Sequence, residues 1–264
     1  MTSPRTAGTT QRSTLSRAQV LESAVALADR DGIGSLTMRS LARELGIEAM
    51  SLYHHVANKE DLLDGVVDVV AAEIQEEVGR LEPLADDAAP ASWKPAMRRQ
   101  ILTARAVLLR HPWAPTVLGS RTTLSLHIVR YFDSLLGLMR RGGFGYDLIH
   151  HATHTLGSRA LGFSQELFEP GGAAAGVVAD TAAGAAARGG TTEGADDAAT
   201  AMIVQMADQA PHMVEMLAEV GHEGPESTLG WCDDQTEFEF GLDLILDGLD
   251  RLAGQQVSAA GRTA

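Results

Sequence analysis

Side chains that could bind a nucleic acid gather in one short stretch near the N-terminus. They are Ala49, Met50, Ser51, Tyr53, His54, His55 and Lys59. The hydroxyl and ammonium groups can donate hydrogen bonds to phosphate oxygens, the imidazoles can reach base edges, and the apolar side chains can contact thymine methyl groups. Packing inside a small domain is the alternative role for Tyr53 and for His55. The stretch therefore predicts a DNA-contacting surface, provided that its backbone is helical.

A second group of side chains that could do chemistry is the H-H-x-x-H sequence of His150, His151 and His154. His150 and His154 fall on one face of a helix, at a spacing that can hold a metal ion. No glutamate stands between them as in the H-E-x-x-H zinc hydrolases, so hydrolase chemistry is not expected. Histidines of a pocket or an interface are the ordinary explanation, and we assign neither a metal site nor a cofactor. No Ser-His-Asp grouping or nucleotide-binding glycine loop stands out, so an enzyme is not expected.

The residues that would position the first group form a helix-turn-helix. Thr37 is a good N-cap for one short helix, and Gly46 supplies the left-handed residue that ends it. Residues 48–56 are predicted to form the second helix, in which Leu52 and Val56 are four apart and face inward. Two short helices joined by a tight turn can lay the second helix in the major groove of DNA.

Residues 36–63 carry a more specific pattern, L-T-x-R-x-L-A-x-x-L-G-[IV]-x-x-x-[ST]-L-Y-x-H-V-x-N-K-x-x-L-L. With this pattern the chain resembles the DNA-binding domain of the tetracycline-repressor (TetR) family. The resemblance implies that the DNA contacts fall on Arg39, Ala49, Met50, Ser51, Tyr53, His54, His55 and Lys59. Ala49, Met50 and His54 stand where the tetracycline repressor has glutamine, proline and tryptophan, so a different operator sequence is expected.

Hydrophobic periodicity along the rest of the chain predicts an all-α protein. A first helix begins after Ser16 and ends at Gly32, and a long helix runs from Lys59 to Gly79. Further helices are predicted at about 94–110, 121–141, 145–168, 201–219 and 235–253.

The predicted domain organisation has two folded parts. A three-helix DNA-binding domain occupies residues 15–60, and a larger helical ligand-binding and dimerisation domain occupies residues 61–264. Residues 1–14 have no periodicity and are predicted to be a disordered arm. The Ala/Gly-rich residues 170–200 cannot bury enough apolar surface to offset chain entropy, so a flexible loop is predicted there.

The last predicted helix is apolar on two faces. One face carries Phe238, Leu242, Ile245, Leu246, Leu249 and Leu252, and the other carries Phe240, Leu244 and Gly248. A helix with two apolar faces needs two partners, and Gly241 and Gly248 would let a second helix approach closely. The family resemblance, which is looser here, implies a homodimer through a four-helix bundle built from about 145–168 and 235–253.

A ligand pocket is expected in the body of the chain, among residues 94–168. Its candidate lining residues are Met97, Ile101, Arg105, Trp113, Leu118, His127, Tyr131, His154 and Phe163. Apolar walls with a few polar anchors suit a small, largely apolar molecule, and plain core packing is the alternative for each residue. The tetracycline repressor binds its drug as a magnesium chelate through a histidine where this chain has Val117. Glu166 matches an acidic ligand of that pocket, yet without the histidine tetracycline is not the expected inducer.

The distribution of charge, the single cysteine and the lack of a long apolar run indicate which class of protein this is. The net charge of −14 divides into +2 for residues 1–59 and −16 for the remaining 205 residues, so the acidic load repels non-specific DNA contact by the body. The single cysteine, Cys232, excludes an internal disulfide, and no apolar run approaches the ~20 residues that span a bilayer. A cytoplasmic protein without a membrane partner is expected.

These features together predict a regulator of transcription. The expected protein is a homodimer that binds a palindromic double-stranded operator and is released by a small-molecule effector other than tetracycline. A constitutive repressor without an inducer and a helical partner-binding module are the alternatives.

Overall fold

The computed structural model describes residues 15–85, 87–122, 125–162, 211–212 and 234–260. Within these residues all regular structure is helical, as predicted. The α-helices are α1 (Arg17–Asp31), α2 (Met38–Leu45), α3 (Ala49–Leu52), α4 (Lys59–Gly79), α5 (Trp93–Arg110), α6 (Ala114–Gly119), α7 (Leu126–Arg141), α8 (Tyr146–Gly162) and α9 (Asp234–Ala260). The chain divides into two compact units, residues 1–143 and 144–264. The predicted domain boundary at residue 60 lies inside α4, within the first unit.

Reciprocal caps set the starts of the first two helices. The Gln19 N–H donates to the Ser16 hydroxyl at the start of α1, while the Ser16 N–H donates to the Gln19 side chain. Thr37 and Ser40 make the same pair at the start of α2. Gly46 ends α2 at φ 66°, in the left-handed region that favours glycine. The predicted caps of both helices are therefore confirmed.

The second helix of the helix-turn-helix is shorter than predicted. It spans only Ala49–Leu52, and residues 53–55 continue it as a turn. In this turn each backbone N–H donates to the carbonyl three residues earlier, as His55 does to Leu52 at 2.8 Å. The prediction of a helix over 48–56 was wrong because Asn58 must adopt an extended backbone to cap α4. α3 therefore ends at Leu52, and a turn with hydrogen bonds between residues three apart connects it to Asn58.

α4 packs against most of the first unit. Its buried residues are Leu62, Gly65, Val66, Val67, Val70 and Ala71, and they join the buried side chains of α1 and α2 in one core. A β-carbon on Gly65 would lie 2.5 Å from Leu21 Cδ2, so the glycine permits a close approach of α1. α4 also contacts α5, α6 and α7. At about 30 Å, it reaches from the helix-turn-helix to the far side of the unit.

The segment between α5 and α7 differs from the prediction. α5 begins and ends close to the predicted bounds, but residues 114–119 form the helix α6, which was not predicted. Pro115 lies at the first turn of α6, a position where proline favours a helix start. The predicted helix over 121–141 begins only at Leu126, because the Ser125 side chain accepts from the Ile128 N–H and caps α7 there.

In the second unit α8 packs against α9. The buried residues of α9 are Phe238, Leu242, Leu246, Leu249 and Ala253, which confirms most of the first predicted face. Leu252 of the first face is 47% exposed, and Phe240 (62%) and Leu244 (57%) of the second face are exposed as well. Gly241 does admit a close neighbour, since a β-carbon there would lie 2.8 Å from the Arg159 guanidinium of α8.

Several predicted segments lie outside the described residues. They are the arm at 1–14, the loop at 170–200, most of the helix at 201–219, and Phe163, Glu166 and Cys232. Among the described residues, no helix combines the length and the apolar character that crossing a membrane requires.

Candidate nucleic-acid interface

Most of the predicted DNA contacts are exposed on α2, α3 and the turn after α3. The exposed members are Arg39, Met50, Tyr53, His54 and Lys59, while Ala49, Ser51 and His55 are half-buried. Met50 is 72% exposed and Tyr53 is 47% exposed. Because Tyr53 keeps about half of its surface in solvent, core packing does not account for its presence.

Two buried side chains hold this surface in place. Leu52 and Val56 are 0% and 1% exposed, and both belong to the core that α1 and α4 share. The Val56 N–H donates to the Leu52 carbonyl at 2.9 Å, so the turn between them keeps one α-helical hydrogen bond. A helix as short as α3 is not stable alone in water. Its conformation therefore depends on these buried contacts.

Arg17 of α1 fixes the far end of the same turn. Its Nη1 donates to the His55 carbonyl at 2.7 Å, and its Nη2 donates to Asp61 Oδ1 at 2.8 Å. Asp61 Oδ2 also accepts the Ala57 N–H at 2.7 Å. The Arg17 hydrogen bond, followed by that of the Ala57 N–H, lowers the pKa of the Asp61 carboxyl. The carboxylate therefore stays charged at neutral pH, and it joins α1, the turn and α4.

A nearly buried histidine joins α1 to α4 a second time. His111, which follows α5, is 7% exposed. Its Nδ1 lies 2.9 Å from Asp29 Oδ1 of α1, and its Nε2 lies 3.0 Å from Glu73 Oε2 of α4. The Trp113 indole N–H donates to the same Asp29 oxygen at 2.6 Å. We call these four residues the histidine bridge. When protonated, the His111 ring can donate to both carboxylates.

Glu73 also receives a charged partner. Its Oε1 accepts from Arg110 Nε at 3.2 Å and from Arg110 Nη2. Partial burial raises the pKa of Glu73, but the hydrogen bonds from Arg110 and His111 outweigh this and lower it overall. The carboxylate is therefore held in the charged form that both donors need.

Arg121 and His127 tie the first half of α4 to the segment around α7. Arg121 Nη1 lies 2.6 Å from Glu60 Oε2 and 3.3 Å from Asp64 Oδ1. His127 Nδ1 lies 2.8 Å from Asp68 Oδ1. These partners are more exposed than His111, so each pair contributes less to stability. Arg110, His111, Arg121 and His127 thus each contact an acidic residue of α4.

The predicted ligand residues are divided between the two units. Met97, Ile101, Arg105, Trp113, Leu118, His127 and Tyr131 lie in the first unit, and His154 lies exposed on α8 in the second. Met97 and Ile101 are buried in α5. Burial raises the pKa of Tyr131. Trp113 was predicted to line the ligand pocket. In the structure it is buried, and its indole N–H donates to Asp29 of α1 in the histidine bridge.

His127 lines a cleft of about 340 Å³ in the first unit. The cleft lies where α1, α4 and the start of α7 meet, and its walls include Arg17, Leu21, Asp64 and Arg121. Its charged walls differ from the largely apolar pocket that the sequence predicts.

Sequence reasoning missed the residues that support the interface from a distance. Arg17 lies 44 residues from Asp61, and His111 lies 82 residues from Asp29. No local pattern indicates such pairs. The sequence offers one related signal, the His111-Pro112 pair. This pair indicates where α5 ends, but it does not indicate which residues His111 contacts.

Two family models match the chain. The model described as "Tetracyclin repressor-like, C-terminal domain" matches residues 87–253, and the model described as "Bacterial regulatory proteins, tetR family" matches residues 20–66. The second match includes all of the helix-turn-helix, and the first includes most of the remaining described helices.

Similar proteins include repressors. The chain is 34% identical over 130 residues to the HTH-type transcriptional repressor DrrR1 of Streptomyces coeruleorubidus, covering 49% of this chain and 45% of that protein. It is 39% identical over 108 residues to the tetracycline repressor protein class D of Escherichia coli, covering 40% and 46%. The chain thus spans about half the length of these curated relatives.

A solved structure matches over a longer range. The TetR family protein ActR of Streptomyces coelicolor, in complex with actinorhodin, aligns with a TM-score of 0.64 and 26% identity. The alignment covers 92% of this chain and 97% of that chain.

Replacing His111 with alanine should destabilise the first unit. The change leaves Asp29 and Glu73 each without one partner, so we expect the free energy of unfolding to fall by about 1–3 kcal/mol. Urea denaturation at pH 7 measures this. His127→Ala is the matched control, since it removes a more exposed histidine–aspartate pair and should cost less than about 1 kcal/mol. Equal losses in the two variants would contradict a special role for the histidine bridge.

Proposed function

Because the chain belongs to the tetracycline-repressor family of DNA-binding transcriptional regulators, we propose that it is a homodimeric repressor of a palindromic operator. A small-molecule effector other than tetracycline releases it from DNA. Members of this family are regulators without enzymatic activity, in agreement with the expectation that the chain is not an enzyme. The main support is the exposed set of contacts on α2, α3 and the following turn. A protein with this task acts in the cytoplasm.

The proposed DNA contact uses the exposed set in two ways. Tyr53, Ser51 and Lys59 bind phosphates. Met50 and His54 are exposed and contact base edges in the major groove. Two copies bind half-sites about one helical turn apart, with about 34–36 Å between recognition helices.

The exposed apolar side chains of α9 support the homodimer. Phe240 and Leu244 lie one turn apart and are more than half exposed, although α9 already buries its other face against α8. Apolar side chains grouped in this way are typical of an interface. A β-carbon on Gly248 would meet no atom within 4 Å in the single chain, so this position leaves room for a second helix.

The histidine bridge supports transmission from an effector to the DNA contacts. The turn between α5 and α6 holds Asp29 of α1 and Glu73 of α4 at the same time. A ligand that moves α5 or α6 therefore changes the position of the DNA-binding helices relative to α4. A difference in ligand affinity of about 1–3 kcal/mol between two such states gives a 5- to 150-fold loss of DNA affinity.

The proposed effector is small and largely apolar. ActR is known in complex with actinorhodin, which supports a small-molecule effector here. Val117 stands where the tetracycline repressor has its magnesium-binding histidine, so a magnesium–tetracycline chelate lacks a ligand.

Substitution of the exposed contacts should weaken operator binding without unfolding the chain. The operator is obtained by in vitro selection from randomised duplexes, and affinity is measured by fluorescence anisotropy. Arg39→Ala and Tyr53→Ala should each cost about 1–3 kcal/mol, and Lys59→Ala should reduce the salt slope by about one. Arg30→Ala is the control, since Arg30 is exposed but paired with Asp31 and Glu44. Full affinity in both the Arg39 and Tyr53 variants, with normal circular dichroism, would refute this interface.

A charge on the exposed face of α9 should separate the dimer. Leu244→Arg brings a guanidinium into the proposed interface, where its desolvation is unfavourable. Analytical ultracentrifugation should give dimers for the original chain and monomers for this variant. Leu244→Met keeps the site apolar and should leave the dimer intact. If Leu244→Arg stays dimeric, this face of α9 is not the interface.

An effector should lower operator affinity, and actinorhodin is the first probe. We expect it to raise the melting temperature of the chain and to weaken DNA binding 5- to 150-fold, the range that a coupling of about 1–3 kcal/mol gives. Tetracycline with Mg²⁺ is the control and should do neither. A wider library of apolar compounds follows if actinorhodin is inactive. If no compound weakens operator binding while the operator is still bound tightly, the protein is a constitutive repressor and the inducible proposal is wrong.

A further inference from the structure

The surface of α8 carries a pair of histidines that the proposed regulator does not require. His150 and His154 are one helical turn apart and both are exposed. Their ring centroids are 4.7 Å apart. No hydrogen bond or ion pair involves either ring within the described part of the chain. Among the nine histidines of the full sequence, these two alone are spaced by four residues.

The distance between the rings matches what a shared metal ion requires. Metal–nitrogen bonds to imidazole are about 2.0–2.1 Å long, and the ring centre lies about 1.1 Å beyond the nitrogen. Two rings bound to one ion at an angle of roughly 90–110° therefore have centres about 4.5–5.2 Å apart. The observed 4.7 Å falls within this range. The separation of the two ring centres is therefore compatible with a shared ion.

We infer that His150 and His154 chelate a divalent transition-metal ion of the copper, nickel and zinc class. Imidazole nitrogen suits these ions, and their affinity for a given site is highest for Cu²⁺. Water completes the coordination, since no group of three or more metal-ligating side chains occurs among the described residues. The net charge of −14 favours the approach of a cation.

His151 provides a built-in comparison. Its ring lies 5.7 Å from that of His150, but it is the next residue along the helix and so points from a different side. A metal held by His150 and His154 does not need it. Substitution of His150 or His154 should therefore lower the affinity for the metal far more than substitution of His151, although all three side chains are exposed.

The test is calorimetric titration of the full, untagged chain with Ni²⁺ at pH 7.5, after removal of bound metal with a chelator. The original chain should bind one ion per chain. Loss of a residue that only hydrogen-bonds to a metal ligand lowers metal affinity about tenfold or more. Loss of a direct ligand in His150→Ala or His154→Ala should lower the affinity for Ni²⁺ at least as much. His151→Ala should bind nearly as the original chain does. At pH 5 binding should disappear, because protons compete for the imidazole nitrogens.

Three results would overturn the inference. They are no binding by the original chain, equal binding by all three variants, and a loss in His151→Ala that matches the losses in the other two. Circular dichroism of each variant checks that α8 remains helical. A visible absorption band of bound Cu²⁺ that disappears in His150→Ala and His154→Ala, but persists in His151→Ala, supports the site independently. None of these outcomes depends on DNA binding, so the proposed function is tested separately.

Discussion

The contact on which the first unit most depends is the imidazole of His111 between two carboxylates. Asp29 and Glu73 are only about a third exposed, and a partly buried carboxylate without a hydrogen-bond donor is costly. The His111 ring contacts both carboxylates, and Trp113 and Arg110 donate to them as well. Because one ring contacts α1 and α4 together, a movement of the turn that carries His111 acts on both helices at the same time.

The sequence predicts local structure well where the interacting atoms are close along the chain. The caps at Ser16 and Thr37 have partners only three residues away, so residue type and spacing are enough to indicate them. The length of α3 was harder to predict, because it depends on where the next helix must begin. α6 was missed because six residues are too few to show a helical period.

The candidate sites show a different limit. Trp113 has the residue type of a pocket wall, yet an indole N–H that is buried needs an acceptor, and Asp29 supplies it from 84 residues away. Composition alone does not distinguish such a core residue from a ligand contact. The exposure of the proposed DNA contacts was predictable because the family pattern gives both their positions and their surroundings. Arg17 escaped prediction because its role depends on Asp61, which only the folded chain brings near.

In and just after the short helix α3, different residues stabilise the fold and face solvent. Leu52 and Val56 hold the conformation, whereas Met50, Tyr53 and His54 face solvent and stabilise little of the core. Substitutions at the solvent-facing positions therefore change the groups that the surface presents to DNA while the fold keeps its stability. During divergence from a common ancestor, such a chain can acquire a new target site through single replacements, without compensating changes elsewhere. Its specificity is free to evolve faster than its architecture.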